Sequence, residues 1–235
     1  VWLTIQTRQA QRLVRGRVAT PTKPAIIGLV GFADRLRLIW QAARDDDPYA
    51  DWWLVKVHAA IAMNLDDVRN WQREIRTLLQ QLTAMDISIA TSSQPYRMPL
   101  QFANPYAYQA AQLLSDYDAL VCAVLTAHHV GLLDSEGSRG LINSCARKIR
   151  ATFVIPQSYR FLKIDRASVR LQTGDSQKAR HCMGEVPDDI LSGEHQAPLV
   201  PRKMAFSRGV AGHVGLRAES PETRTKHPDD ENRDR

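Results

Sequence analysis

Arg97 and Gln101 stand out as side chains whose types and spacing suit a specific chemistry. They lie four residues apart in QPYRMPLQF (Gln94–Phe102), and Tyr96, Met98, Leu100 and Phe102 fill the other parity. An arginine fork matches the major-groove edge of guanine, and a glutamine amide matches that of adenine. The competing reading is a sheet edge with a solvated Arg and Gln. A second set has the same character near the start. Leu3 and Ile5 alternate against Thr4, Gln6 and Arg8, which makes Gln6 and Arg8 second candidates for base contact. Phosphate contact needs cations without base specificity, and Arg139, Arg147, Lys148 and Arg150 provide a basic helical face for it.

These side chains need strands and helices to hold them. Period-2 alternation over Tyr96–Phe102 predicts a half-buried strand. Pro95 and Pro99 share the Arg97 parity, so both missing N–H donors fall on one edge and the other edge can pair with one neighbour. The strand is therefore an edge strand or half of a two-stranded ribbon. Asn104-Pro105 reads as N-cap and N1 of a helix that ends near Gly131. Asp134 or Ser135 caps the next helix, whose apolar face is Leu141, Ile142, Cys145, Ile149 and Phe153. Strand, helix, capped turn and basic helix is a ribbon-helix-helix order. In that architecture two chains pair their strands and lay the ribbon in a DNA groove. The first strand is followed by a basic turn through Arg12, Arg15 and Arg17, so two strand-helix-helix units are possible. The two strands pair either with a second chain or with each other.

Between the two strands lies a helical hairpin. Ile26–Arg44 has helical periodicity, and Asp45-Asp46-Asp47-Pro48 ends that helix and caps the next. From Pro48 to about Met85, Leu54, Val57, Ile61, Asn64, Val68, Trp71, Ile75, Leu78 and Leu82 step by three and four, the pattern of an a/d seam with one polar residue, Asn64. The seam faces the preceding helix or a partner protein. Asp86–Thr91 reads as a strand and Met183–Glu194 as a short capped helix. The fold class expected is mainly α with a small β component: a long helical hairpin plus a ribbon-helix-helix-like unit. Residues 1–202 make one mostly helical domain, with parts 1–85, 86–155 and a basic helical 156–202. The polar, Pro/Gly-punctuated stretch 203–235 reads as a disordered tail.

The chain has 235 residues, 44% hydrophobic and 24% charged, with net charge +6 and a pI near 9.4. A basic balance favours anionic partners. Arg147–Arg180 is the densest basic stretch, either a phosphate-contacting surface or a solvated face. Three cysteines without a CxxC pair read as reduced thiols, pointing to the cytoplasm. No run of 18 apolar residues suggests a membrane span, and no leader is evident. The start at Val1 without Met reads as a fragment or an alternative start. P-loop, GxGxxG, GxSxG and HExxH patterns are absent. His128-His129 are adjacent and splay around a helix, and His181-Cys182 lacks a zinc-spaced partner pair. No enzyme, cofactor or metal is expected. The tryptophans Trp40, Trp52, Trp53 and Trp71 fit helix packing, with Trp2 apart.

Several strings resemble a family of accessory proteins from integrating conjugative elements. They are QTRQAQRL (Gln6–Leu13), DDPYADWWL (Asp46–Leu54), PLQFANPYAY (Pro99–Tyr108), LLSDYDALVCAVLTAHHVGLLD (Leu113–Asp134), YRFL (Tyr159–Leu162), and MGEVPDDIL with APLVPR (Met183–Arg202). That family is similar to the AcaB-like transcriptional regulators, associated with ribbon-helix-helix DNA binding and control of mobile-element genes. The resemblance spans roughly residues 3–202. It implies a dimeric regulator that binds double-stranded DNA. The alternative is a non-enzymatic accessory protein that binds a protein partner through helix 48–85.

Overall fold

The computed structural model describes residues 1–82 and 87–202, and Val1–Met204 forms one compact unit. The expected tail 203–235 lies outside the described residues, as do 83–86; the long helix, expected to run to about Met85, ends at Gln80. The elements run β1 (Trp2–Ile5), α1 (Arg8–Arg15), α2 (Leu29–Arg44), α3 (Pro48–Gln80), β2 (Tyr96–Pro99), α4 (Pro105–His129) and α5 (Ser135–Val154). A 3-10 turn, Ile155–Ser158, follows, then α6 (Arg166–Arg170), α7 (Gly174–Met183) and α8 (Asp188–Ser192). Among the described residues the protein is mainly helical with one small two-stranded sheet.

The caps legible in the sequence are in place. Asn104 accepts from the Ala107 N–H, Asp134 from Gly137 and Asp47 from Tyr49 and Ala50. Each satisfies N–H groups that the first helical turn leaves without partners.

Helix α4 is the core. Tyr106, Leu113, Leu114, Tyr117, Leu120, Val121 and Val124 are fully buried, and α1, α2, α3 and α5 all pack on it. By length and hydropathy it meets the test for a membrane-spanning helix, but 72% of that window is buried within the fold. Burial on nearly all sides removes the need for a polar face, and so explains the apolar composition.

The long seam is spent inside the chain. Helix α2 has 16 residues and α3 has 33, so α2 can cover only part of it. The rest lies on α4 and α5. The hairpin reading is corrected to that extent. Leu54, Val57, Ile61, Asn64, Val68 and Ile75 are buried as the spacing implies, but Trp71 is 40% exposed and Leu79 takes the place expected for Leu78. A straight 3.6-residue helix drifts off a 3.5-residue repeat, so a fixed a/d pattern loses its line after several turns. Asn64, the polar seam residue, donates to Thr152 Oγ1 of α5 at 2.8 Å.

Three element assignments are corrected. Helix α2 starts at Leu29 rather than Ile26, because Ile26 is paired with Arg17 through two backbone hydrogen bonds of 2.7 and 2.8 Å that hold it extended. Gly16 makes this crossing possible, since a Cβ there would collide with the Ile26 carbonyl. The strand expected over Asp86–Thr91 is not formed at 87–91, and Asp86 lies outside the described residues. Ala90 N–H instead donates to Thr126 Oγ1 at 3.3 Å. The short helix expected over Met183–Glu194 forms only at Asp188–Ser192, because Gly184, at φ 87°, ends α7 and a loop precedes α8.

The 156–202 part is held against the start of α3. Arg166 pairs through its two terminal nitrogens with Asp46 and Asp51, and the Tyr159 hydroxyl donates to Asp47 Oδ2 at 2.6 Å. Burial holds the Asp47 carboxyl up at about 6, although the Tyr159 hydroxyl and the Ala50 and Tyr49 amides pull it down. The folded chain therefore keeps this proton to a higher pH than the unfolded chain does. The group's contribution favours folding most below about pH 4 and is lost as pH rises through about 6. Asp47→Asn keeps a capping oxygen and removes the titration. Across that window the parent's unfolding free energy from urea denaturation should fall relative to the variant's by an amount on the order of 1–3 kcal/mol. Parallel slopes would remove Asp47 as the cause.

Candidate nucleic-acid interface

The two strands pair antiparallel within one chain, in the register Trp2↔Pro99, Leu3↔Met98, Thr4↔Arg97 and Ile5↔Tyr96. This decides between the two pairings left open by sequence. The ribbon forms inside one chain. The free edge is the one the prolines predict. Leu100 N–H, of the same parity as Tyr96 and Met98, donates to the Val1 carbonyl at 2.8 Å, so the proline nitrogens face away from β1.

The ribbon has two unlike faces. Leu3 and Ile5 are buried, and Tyr96 and Met98 are half-buried against the core. Trp2, Thr4, Arg97 and Pro99 are exposed on the other face. The Arg97 guanidinium lies 5.3 Å from the centroid of the Trp2 ring, which is 60% exposed. An exposed tryptophan under an arginine offers both a flat apolar surface and a directed cation.

Asp118 of α4 fixes the junction behind the ribbon. Its carboxylate accepts from Gln6 N–H at 2.6 Å, Thr7 N–H at 2.8 Å and the Thr7 hydroxyl at 2.6 Å. Thr7 in turn caps α1 through Ala10 N–H. Helix α1 carries Arg8, Arg12 and Arg15 at helical spacing on its exposed side, with Ala10, Leu13 and Val14 buried beneath. It has no acid in its first turn, and none of these arginines makes an ion pair among the described residues. The Arg15 guanidinium sits 4.8 Å from the Tyr96 ring, which brings α1 against the ribbon.

Not all the sequence-nominated residues gather here. Arg97 sits on the exposed ribbon face opposite Thr4, and Arg8 opens α1 three residues after β1. Gln101 is exposed but lies past the end of β2. Gln6 is half-buried, and its side-chain oxygen accepts from Ser92 N–H at 3.0 Å, a structural tie. Arg139, Arg147, Lys148 and Arg150 are on α5, a separate helix packed on other helices. Arg139 and Arg147 are exposed and Arg150 is half-buried. Lys148 lies 2.6 Å from Asp67, whose hydrogen bond holds the ammonium above its ordinary pKa. The 147–180 stretch is similarly neutralised in places, with Lys178 on Asp175 and Arg180 on Glu185. Sequence reasoning missed Trp2, Arg12 and Arg15 as a surface, and Asp118 altogether. The spacing of Arg8, Arg12 and Arg15 was the available signal for α1. Asp118 had none, because its partners are distant in sequence.

This arrangement defines a class: a mainly helical protein carrying an exposed, cation-bearing ribbon flanked by a basic helix. The chain matches the family model described as transcriptional regulator AcaB over residues 1–203, and it belongs to that family. Among solved structures it is similar to the crystal structure of selenomethionine-containing AcaB from uropathogenic E. coli, with 15% identity and a TM-score of 0.57, covering 83% of this chain and 94% of that one. At that identity the likeness concerns the fold. No curated protein matches the chain. A transcriptional regulator is what the family defines.

Proposed function

We propose that this regulator acts by binding double-stranded DNA, with the outer face of the β1–β2 ribbon in the major groove. The observation that carries the reading is that exposed face, where Arg97 and Thr4 stand opposite one another beside Trp2. A two-stranded ribbon fits the major groove, and an arginine there reads guanine. Arg8, Arg12 and Arg15 are placed to meet phosphates alongside, with Arg139 and Arg147 of α5 as further contacts. The order of elements supports a ribbon-helix-helix type of regulator. Strand, helix, helix occurs twice, as β1-α1-α2 and as β2-α4-α5, and the two strands pair. Such a regulator works in the cytoplasm. Its assignment to an integrative conjugative element rests on the sequence resemblance.

The test is fluorescence anisotropy with duplexes from the promoters of the host element against a scrambled duplex, at low and high salt. Arg97 is exposed, so Arg97→Ala should fold normally and lose about 1–3 kcal/mol of discrimination between the duplexes. Equal loss on both duplexes would make Arg97 a phosphate contact. Equal binding of the parent to promoter and scramble, lost with salt, would reduce the ribbon to a generic polyanion surface.

A further inference from the structure

The ribbon is complete within one chain, but its two halves are not equivalent. Strand β1 offers Trp2 and Thr4 to the outer face, and β2 offers Arg97 and Pro99. Two residues separate β1 from α1, whereas five separate β2 from α4, so the connections on the two sides of the ribbon differ in length. Their charge differs as well. Helix α1 presents Arg8, Arg12 and Arg15, while α4 contains no Lys or Arg, and its Asp116 is held by Arg69 and Gln112. A palindrome presents the same bases and phosphates to two equivalent halves. The outer-face residues of this ribbon do not repeat across its two strands.

We infer that each site is a short, non-palindromic major-groove segment read by one chain, with the phosphates on one side gripped by α1. This rests on the DNA-binding reading above and specifies its partner. Four-residue strands span roughly 13 Å, which corresponds to about four base pairs. The structure places a single ribbon arginine, Arg97, among the exposed residues of β1 and β2, so one strongly specified G·C pair is expected.

The experiment is selection of bound duplexes from a random double-stranded library with the full chain, followed by stoichiometric titration of the enriched duplex. The expected result is a motif without internal two-fold symmetry and one chain per motif. Selection repeated with Arg97→Ala should relax one base-pair position, by roughly 5- to 150-fold in preference. An enriched palindrome binding two chains, with Arg97→Ala relaxing two symmetry-related positions, would overturn the inference and leave DNA binding standing. Absence of any enriched motif would overturn both. Arg12→Ala serves as the control on the α1 side. It should weaken every selected sequence alike and lower the salt dependence by about one ion, with the motif unchanged. A change of motif would overturn the phosphate assignment.

Discussion

Asp118→Ala should cost about 3–5 kcal/mol of folding stability and release β1 from the core. The carboxylate takes three hydrogen bonds from Gln6 and Thr7 at 2.6 to 2.8 Å, from a position only 3% exposed. Bonds to a charged acceptor are worth more than neutral ones, and removing it leaves two backbone N–H groups without their acceptor. Thr7 also caps α1, so the loss extends to the helix that carries the arginine face. Asp118→Asn keeps one acceptor oxygen and should fall between the two. Urea denaturation gives the stability, and anisotropy on the same samples gives the DNA affinity. In conditions where the variant stays folded, affinity should drop with the ribbon's loss of order. A stability change below about 1 kcal/mol would show that water replaces the carboxylate and that the clamp is dispensable.

Arg166→Ala should be comparably severe, at about 3–5 kcal/mol, for a different reason. Arg166 is 7% exposed and Asp51 2%, and the guanidinium also donates to the Ile190 carbonyl of α8. Taking away the cation leaves Asp51 facing a low-dielectric interior without that charge. Arg166→Lys retains the charge but not the fork that reaches Asp46 and Asp51 together, so it should recover only part of the loss. Limited proteolysis separates this defect from the first. In Arg166→Ala the early cuts should fall within 156–202, while the ribbon half stays protected. Early cuts at the N-terminus instead would mean that the segment does not depend on Arg166. Arg166 lies within the basic 147–180 stretch, and burial takes it out of any surface contact.

The sequence by itself determined the local structure around the site. The alternation over Tyr96–Phe102 and the shared parity of Pro95 and Pro99 marked an edge strand with one pairing side. Asn104-Pro105, Asp134 and Asp47-Pro48 marked the starts of α4, α5 and α3. Such signals are written in neighbouring residues, because caps, proline constraints and side-chain periodicity act over a few positions. Family membership was legible too, in strings spread along the chain. Only the tertiary structure decided which strand pairs with which, and so that the ribbon closes inside one chain. It alone decided which cations stay available. Lys148 meets Asp67 across 81 residues and Arg166 meets Asp46 across 120, whereas Arg8, Arg12 and Arg15 meet no acid among the described residues. Strand partners and charge neutralisation depend on what packing brings within a few ångströms, and a linear pattern of charges has no record of that distance.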